Sequence, residues 1–317
     1  MYVRNASQIY EGGGVADFLT TTVRAKVLVR KMHGGSQSVL IKGDDDELYI
    51  VKFNNNQQGP NLLANEMLGS VLLRSVGLPA PQWKAVVISD EFLASNQNLH
   101  FEGLSGTEPI CSGIHFGSNF LGSTGDAEVY DFLPSSFCRR IANPADFLGI
   151  YIFDVWANHH DHRQALFLCR PQNLEIDAHF IDNGHLFGGP HWSFEERCGA
   201  AMCLDPKFYA VPWDEQSIDE WVSRFESSLS QNLRRTVKQV PKDWYKGDII
   251  GLTTYLEFRL ENLRQLFQHE LQHNPRIRAD VITGISNAPM QLCNSRPLQV
   301  RSVLRRRSMF VTPRYWS

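Results

Sequence analysis

Residues 23–30, VRAKVLVR, alternate apolar and polar positions, the pattern of a half-buried strand. The glycine-bearing KMHGGSQ interrupts it and SVLIKG resumes it. After the DDDE turn, LYIVKF completes an antiparallel meander. NNNQQGP is a loop. From Asn61 the period changes to three and four, with Leu63, Met67, Leu68, Val71 and Leu72 on one helical face. VGLPAP stops that helix, and WKAVVIS is a further strand. Residues 95–127, rich in Gly, Ser and Asn, read as an insertion or loop region with a hairpin around GIHFGSNF.

The second half turns helical. NPAD predicts a helix start with Asn143 as cap and Pro144 at the first position. The helix from Phe147 to about Trp156 is apolar nearly all round, so it is expected to be buried. ALFLCR and AHFID predict a two-strand hairpin, and three helical segments follow to about His273. The expected class is α+β and bilobal: a small antiparallel-sheet lobe with one helix (1–92), a mostly helical lobe (93–275, including the 95–127 region) and a tail (276–317).

Composition changes this picture little. Of 317 residues 43% are apolar and 21% charged, ordinary for a globular protein. No apolar run approaches a membrane span, and MYVRNASQIYEGGG lacks the pattern of a secretory signal. The six cysteines are scattered without a CxxC pair, which suits reduced thiols and a cytoplasmic location. Charge is more informative. The net −3 combines an acidic body with a tail of eight arginines and one acid, Asp280. A solvated tail is one reading; contact with an acidic partner, with nucleic acid or with the protein's own surface is another.

Lys52 lies on a strand among apolar neighbours, and a strand lysine usually faces water. Here a Gly34-Gly35-Ser36-Gln37 turn precedes it and Glu66 follows on the next helix. Glycines let backbone N–H groups approach phosphate oxygens. A lysine behind them neutralises phosphate, and a helix glutamate holds the lysine. That order is the nucleotide grip of the protein-kinase architecture.

Asp161 follows the buried helix and Asp182 follows the hairpin. Phosphoryl transfer needs two acids with separate tasks, one at the acceptor hydroxyl and one at magnesium. Asp182-Asn183-Gly184 stands where protein kinases carry Asp-Phe-Gly, and Arg163 stands where they carry a phosphate-contacting lysine. Ordinary turn chemistry at Asn-Gly is the plain alternative. A metal-phosphohydrolase reading uses the His160-Asp161 pair with His185 and His191, but that site needs successive helices where ALFL and AHFI read as strands.

The blocks VRKMHGG…GLPAP and DVWANHHDHRQALF…FIDNGHLFGG resemble the HipA-like kinases, in particular a compact bacterial branch, over roughly residues 20–270. The resemblance implies a protein-kinase-like fold, ATP with Mg2+, and transfer to a protein serine or threonine. It implies that Lys52 contacts the ATP phosphates, Glu66 anchors Lys52, Asp161 is the catalytic acid–base and Asp182 a metal ligand. Many family members carry an asparagine five positions after the catalytic aspartate; here that position is Leu166, and Gln164 is the nearest polar substitute. Leu166 leaves open a nucleotide-binding pseudokinase, and AMP transfer or a non-protein acceptor is a further alternative. HipA itself is a toxin neutralised by an antitoxin. This chain lacks the length for the extra N-terminal subdomain, so toxin activity is not carried over. An antitoxin-like or acidic partner for the basic tail stays possible, no membrane is expected, and nucleic acid is not an expected partner.

Overall fold

A computed structural model describes residues 22–32, 34–103, 106–123, 127–170, 175–195, 199, 206–209 and 213–274. The arginine-rich tail, and Cys198, Cys203 and Cys293, lie outside them.

The alternating segments close into a five-stranded barrel. Strands β1 (Thr22–Lys31), β2 (Val39–Gly43) and β3 (Leu48–Lys52) form the antiparallel meander. After helix α1 (Leu62–Ser75), β4 (Trp83–Ile88) pairs parallel with β1. The last stave is β7 (Gly113–Asn119), which pairs antiparallel with both β3 and β4 and closes the order β1-β2-β3-β7-β4. Val39, Ile41, Tyr49, Val51, Val86 and Ile88 are buried in the core of this lobe. The short helix α2 (Asp90–Ser95) and the hairpin β5 (His100–Gly103) with β6 (Gly106–Pro109) add Phe92 and Phe101 to that core.

This corrects two expectations. GIHFGSNF is not a hairpin: it is one strand with a partner on each side. The barrel lobe therefore extends past residue 92 to Asn119, because without β7 the backbone groups of β3 and β4 would have no partner on that edge. The sequence hid β7 because its glycines and polar residues dilute the alternation.

The second lobe is built on α3 (Asp146–Trp156), ten of whose eleven residues are buried. Asn143 does not cap it. Instead its side chain takes the Ala178 N–H at 2.9 Å and donates to the Ala178 carbonyl at 3.0 Å, clasping the helix entry to a strand. Strands β8 (Glu128–Tyr130), β9 (Gln164–Cys169) and β10 (Ile176–Ile181) form a small sheet beside it. Helices α4 (Glu215–Lys238), α5 (Ile249–Glu261) and α6 (Leu263–His273) pack around α3. On α4, Ile218, Trp221, Val222, Phe225, Leu229 and Leu233 form the buried stripe. Asp214 caps α4 by accepting the Ser217 N–H at 2.7 Å.

Candidate active site

The two lobes meet at residues set by register. In the barrel, Val39 stands opposite Val51, so the glycine-bearing turn before β2 lies at the same end as Lys52. In the second lobe, Gln164 stands opposite Ile181, so the loop entering β9 and the residue leaving β10 share one end of the hairpin. That end carries Asp161, Arg163, Gln164 and Asp182.

Lys52 is buried and has two acidic partners. Its Nζ lies 2.5 Å from Glu66 Oε1 and 2.8 Å from Asp182 Oδ1. Burial alone would lower the lysine pKa; the Asp182 and Glu66 carboxylates override it, so the ammonium is held charged. Asp182 is pulled down to about 2, chiefly by the Lys52 charge. Glu66 is pushed up, first by burial, with Asp182 adding repulsion and Lys52 opposing. One ammonium between two carboxylates leaves an acid in excess, which favours a divalent cation on the open side.

Asp182 adopts φ 63°, an uncommon left-handed conformation for a residue with a Cβ. Its second oxygen accepts from Gln164 Nε2 at 2.7 Å. Gln164 thus stands beside the acid that the sequence assigned to magnesium. Leu166, two residues on, lies within β9 opposite His179. Magnesium asks of a protein only one or two oxygen donors and takes the rest from phosphate and water. A depressed carboxylate beside a side-chain amide fits that demand.

The structure overturns the expectation for Arg163. It is 2% exposed, and its guanidinium grips Asp154 through Nη2–Oδ1 and through Nε to Oδ2 at 3.1 Å. Nη1 donates to the Ile181 carbonyl at 3.0 Å and to Asn183 Oδ1 at 2.8 Å. A guanidinium enclosed this way is no phosphate contact; it braces the Asp161 loop against the Asp182 segment from behind. Burial would raise the Asp154 pKa, but Arg163 and His159 override it and hold it low. His159 is buried beside the pair, with Nδ1 3.2 Å from Asp154 Oδ1, and burial lowers its pKa.

Asp161 differs from all these. It is exposed, and its Oδ1 accepts the His162 backbone N–H at 2.7 Å. Its loop is held through neighbours: His160 donates its N–H to the His185 carbonyl at 3.1 Å, and Asn158 Nδ2 reaches Tyr255 Oη and the Glu195 carbonyl, both at 2.9 Å. Among the described residues no three His, Cys, Asp or Glu side chains converge as metal ligands, so His160, Asp161, His185 and His191 form no such set.

The Gly34–Gln37 turn is anchored from behind. Asn56 Nδ2 donates to the Ser36 carbonyl at 2.7 Å. The Gln37 amide exchanges two 2.7 Å bonds with the Glu102 backbone, which directs that side chain to β5. Gly34 has φ 131° and Gln37 φ 46°.

Sequence reasoning missed Asp154, Asn158, Asn61 and Asn65. Two signals were available. Asp154 is an acid inside an otherwise apolar helix, which demands a partner. Asn61 and Asn65 are four apart, at the start of a helix whose other positions are mostly apolar.

Residues 25–180 match the model of a family described as HipA-like kinase. Comparison with curated proteins gives no match. Among solved structures, the chain is similar to the Golgi casein kinase: TM-score 0.52 and 12% identity, over 84% of this chain and 77% of that one. For the same kinase with Mn/ADP bound the values are 0.50 and 11%, over 83% and 74%. For the Helicobacter pylori proinflammatory kinase CtkA they are 0.51 and 12%, over 81% and 98%. These likenesses establish a protein-kinase-like fold, with a β lobe carrying one packed helix before a mostly helical lobe.

Proposed function

From the match of residues 25–180 to the HipA-like kinase model, we propose that the chain is a HipA-like kinase, an ATP- and magnesium-dependent phosphotransferase acting on a protein serine or threonine hydroxyl. The carrying observation is the Glu66–Lys52–Asp182 cluster, closed across two lobes, with Glu66 and Lys52 buried and Asp182 half-buried. Buried charges are costly, and a lysine with two acids is retained where phosphate and metal charge are to be handled. The Mn/ADP carried by one structural neighbour suits the same reading.

Lys52 and the backbone of the 34–37 turn would hold the ATP phosphates. Asp182, with Gln164 beside it, would hold magnesium, which supplies charge neutralisation at the phosphate oxygens. Asp161 orients the acceptor hydroxyl and accepts its proton as the new O–P bond forms. The bond from the γ-phosphorus to the β–γ bridging oxygen breaks, and ADP leaves. The exposure of Asp161 suits a bulky acceptor, since a protein hydroxyl must reach it from solvent.

Intact-mass analysis after incubation with ATP and Mg2+ tests this, on the chain itself and on candidate acceptor proteins. The expected product carries added phosphate on Ser or Thr, and Asp182→Ala forms none. A mass increment of AMP would replace the reading by adenylyl transfer. No covalent product with any acceptor, alongside intact nucleotide binding, would replace it by a pseudokinase.

A further inference from the structure

Asn65 precedes Glu66 on α1 and is fully buried. Its Nδ2 donates towards three backbone carbonyls of the segment after Asp182: Gly184 at 2.8 Å, Leu186 at 3.0 Å and Gly189 at 3.3 Å. Its Oδ1 accepts the Trp192 indole N–H at 2.7 Å. One turn earlier, the Asn61 N–H donates to the Pro190 carbonyl at 3.1 Å. The Asn61 side-chain oxygen accepts the N–H groups of Lys246 and Gly247 at 2.8 and 3.3 Å. Trp192 in turn stacks on Tyr245. One helix face is thus tied to two separate segments of the second lobe.

The fit is close as well as polar. A Cβ on Gly184 would lie 2.5 Å from Leu62 Cδ1, and one on Gly69 would lie 2.5 Å from Asn183 Cβ. The Asn183 N–H also donates to Glu66 Oε2 at 3.2 Å. Swinging α1 outward would carry Glu66 off Lys52. It would also leave the Asn65 amide, the Trp192 indole and several carbonyls buried without partners. Asparagine suits the position because one short side chain both donates to carbonyls and accepts from an indole.

We propose that Asn65 is a positioning residue that locks α1 onto the 184–192 segment, so that Glu66 and Asp182 close on Lys52 in the unmodified chain. The proposal rests on the kinase reading for its catalytic consequence. The lock itself is independent of that reading.

Hydrogen exchange read by mass spectrometry on the full chain, without nucleotide, tests the lock directly. In wild type the α1 amides exchange slowly, and phosphatase treatment leaves them unchanged. In Asn65→Leu, near in shape but without polar atoms, they exchange about tenfold faster or more, while β2 and β3 keep their protection. Trp192→Phe keeps an aromatic ring, loses the indole donor and part of the packed surface, spares the Asn65 bonds to the three carbonyls and gives a smaller change, which covers the case in which Asn65→Leu does not fold. On the kinase reading, Asn65→Leu lowers kcat about 10- to 100-fold well below its unfolding temperature. Phe267→Leu, a core change on α6, lowers stability with kcat unaltered. Unchanged α1 exchange in both Asn65→Leu and Trp192→Phe, or α1 protection and activity that vanish on dephosphorylation, would overturn the proposal. Absence of transfer by wild type with the exchange pattern as expected would instead sink the kinase reading and leave the lock standing.

Discussion

The two halves of the candidate site are built to different standards of order. On the nucleotide side, Lys52 contacts both Glu66 and Asp182, and Arg163, Gln164 and Asn183 brace them. On the acceptor side, Asp161 is exposed and its carboxylate is held by its own neighbour's N–H. On the proposed function, the nucleotide half handles a ligand whose charge is always the same, so it gains from preorganised charge. The acceptor half would then admit a partner of its own shape, and its final order would come with that partner.

The comparison can be broken most severely at Asp161. Asp161→Asn is expected to slow phosphoryl transfer about 10²–10⁴-fold while leaving magnesium-dependent ATP binding at the wild-type level. Single-turnover kinetics beside calorimetric ATP titration would show it. A parallel loss of binding would mean that the halves are not separable.

Next in size is the brace. Arg163→Ala leaves Asp154 buried without its guanidinium, which costs about 3–5 kcal/mol for a broken buried pair. Urea unfolding measures that loss. A change under about 1 kcal/mol would be the surface-pair value and would contradict the buried role.

How far the sequence carried is visible in these same residues. Lys52, Glu66, Asp161 and Asp182 could be singled out because the kinase reading asks for those residue types in a fixed order along the chain. The meander and the buried α3 followed from period and apolarity. Arg163 was placed at the phosphate because spacing along a chain does not say which way a side chain turns; burial beside Asp154 decided that. Likewise β7 was lost because its two partners lie far away in sequence, and pairing cannot be read from a strand's own composition.

The barrel supplies a third, smaller test, in the strand paired beside Lys52. His115 in β7 is fully buried, and burial pushes its pKa from 6.5 down to about 4. Between those values the unfolded chain binds the extra proton, so stability present above pH 6.5 is lost as pH falls. At ~1.36 kcal/mol per unit the loss is about 3 kcal/mol by pH 4. His115→Gln should remove that slope from urea unfolding measured across the range; an unchanged slope would assign it elsewhere.

The smallest effect is expected at Gln164. Gln164→Leu removes the amide beside Asp182, and the magnesium needed for half-maximal ATP binding should rise about 10–100-fold. No change would leave Asp182 as the sole side-chain contribution among the residues assigned to magnesium here.

On the proposed function, Lys52, Glu66 and Asp182 form a ready-made ATP–magnesium site. Thermal unfolding with and without ATP, each with and without Mg2+, tests it most directly. A ligand at a hundred times its Kd adds about 2.7 kcal/mol to the folded state. The expected result is a rise in Tm that needs both ATP and Mg2+ and disappears in Asp182→Ala. No rise in the wild type under any of these conditions, or an undiminished rise in Asp182→Ala, would contradict it.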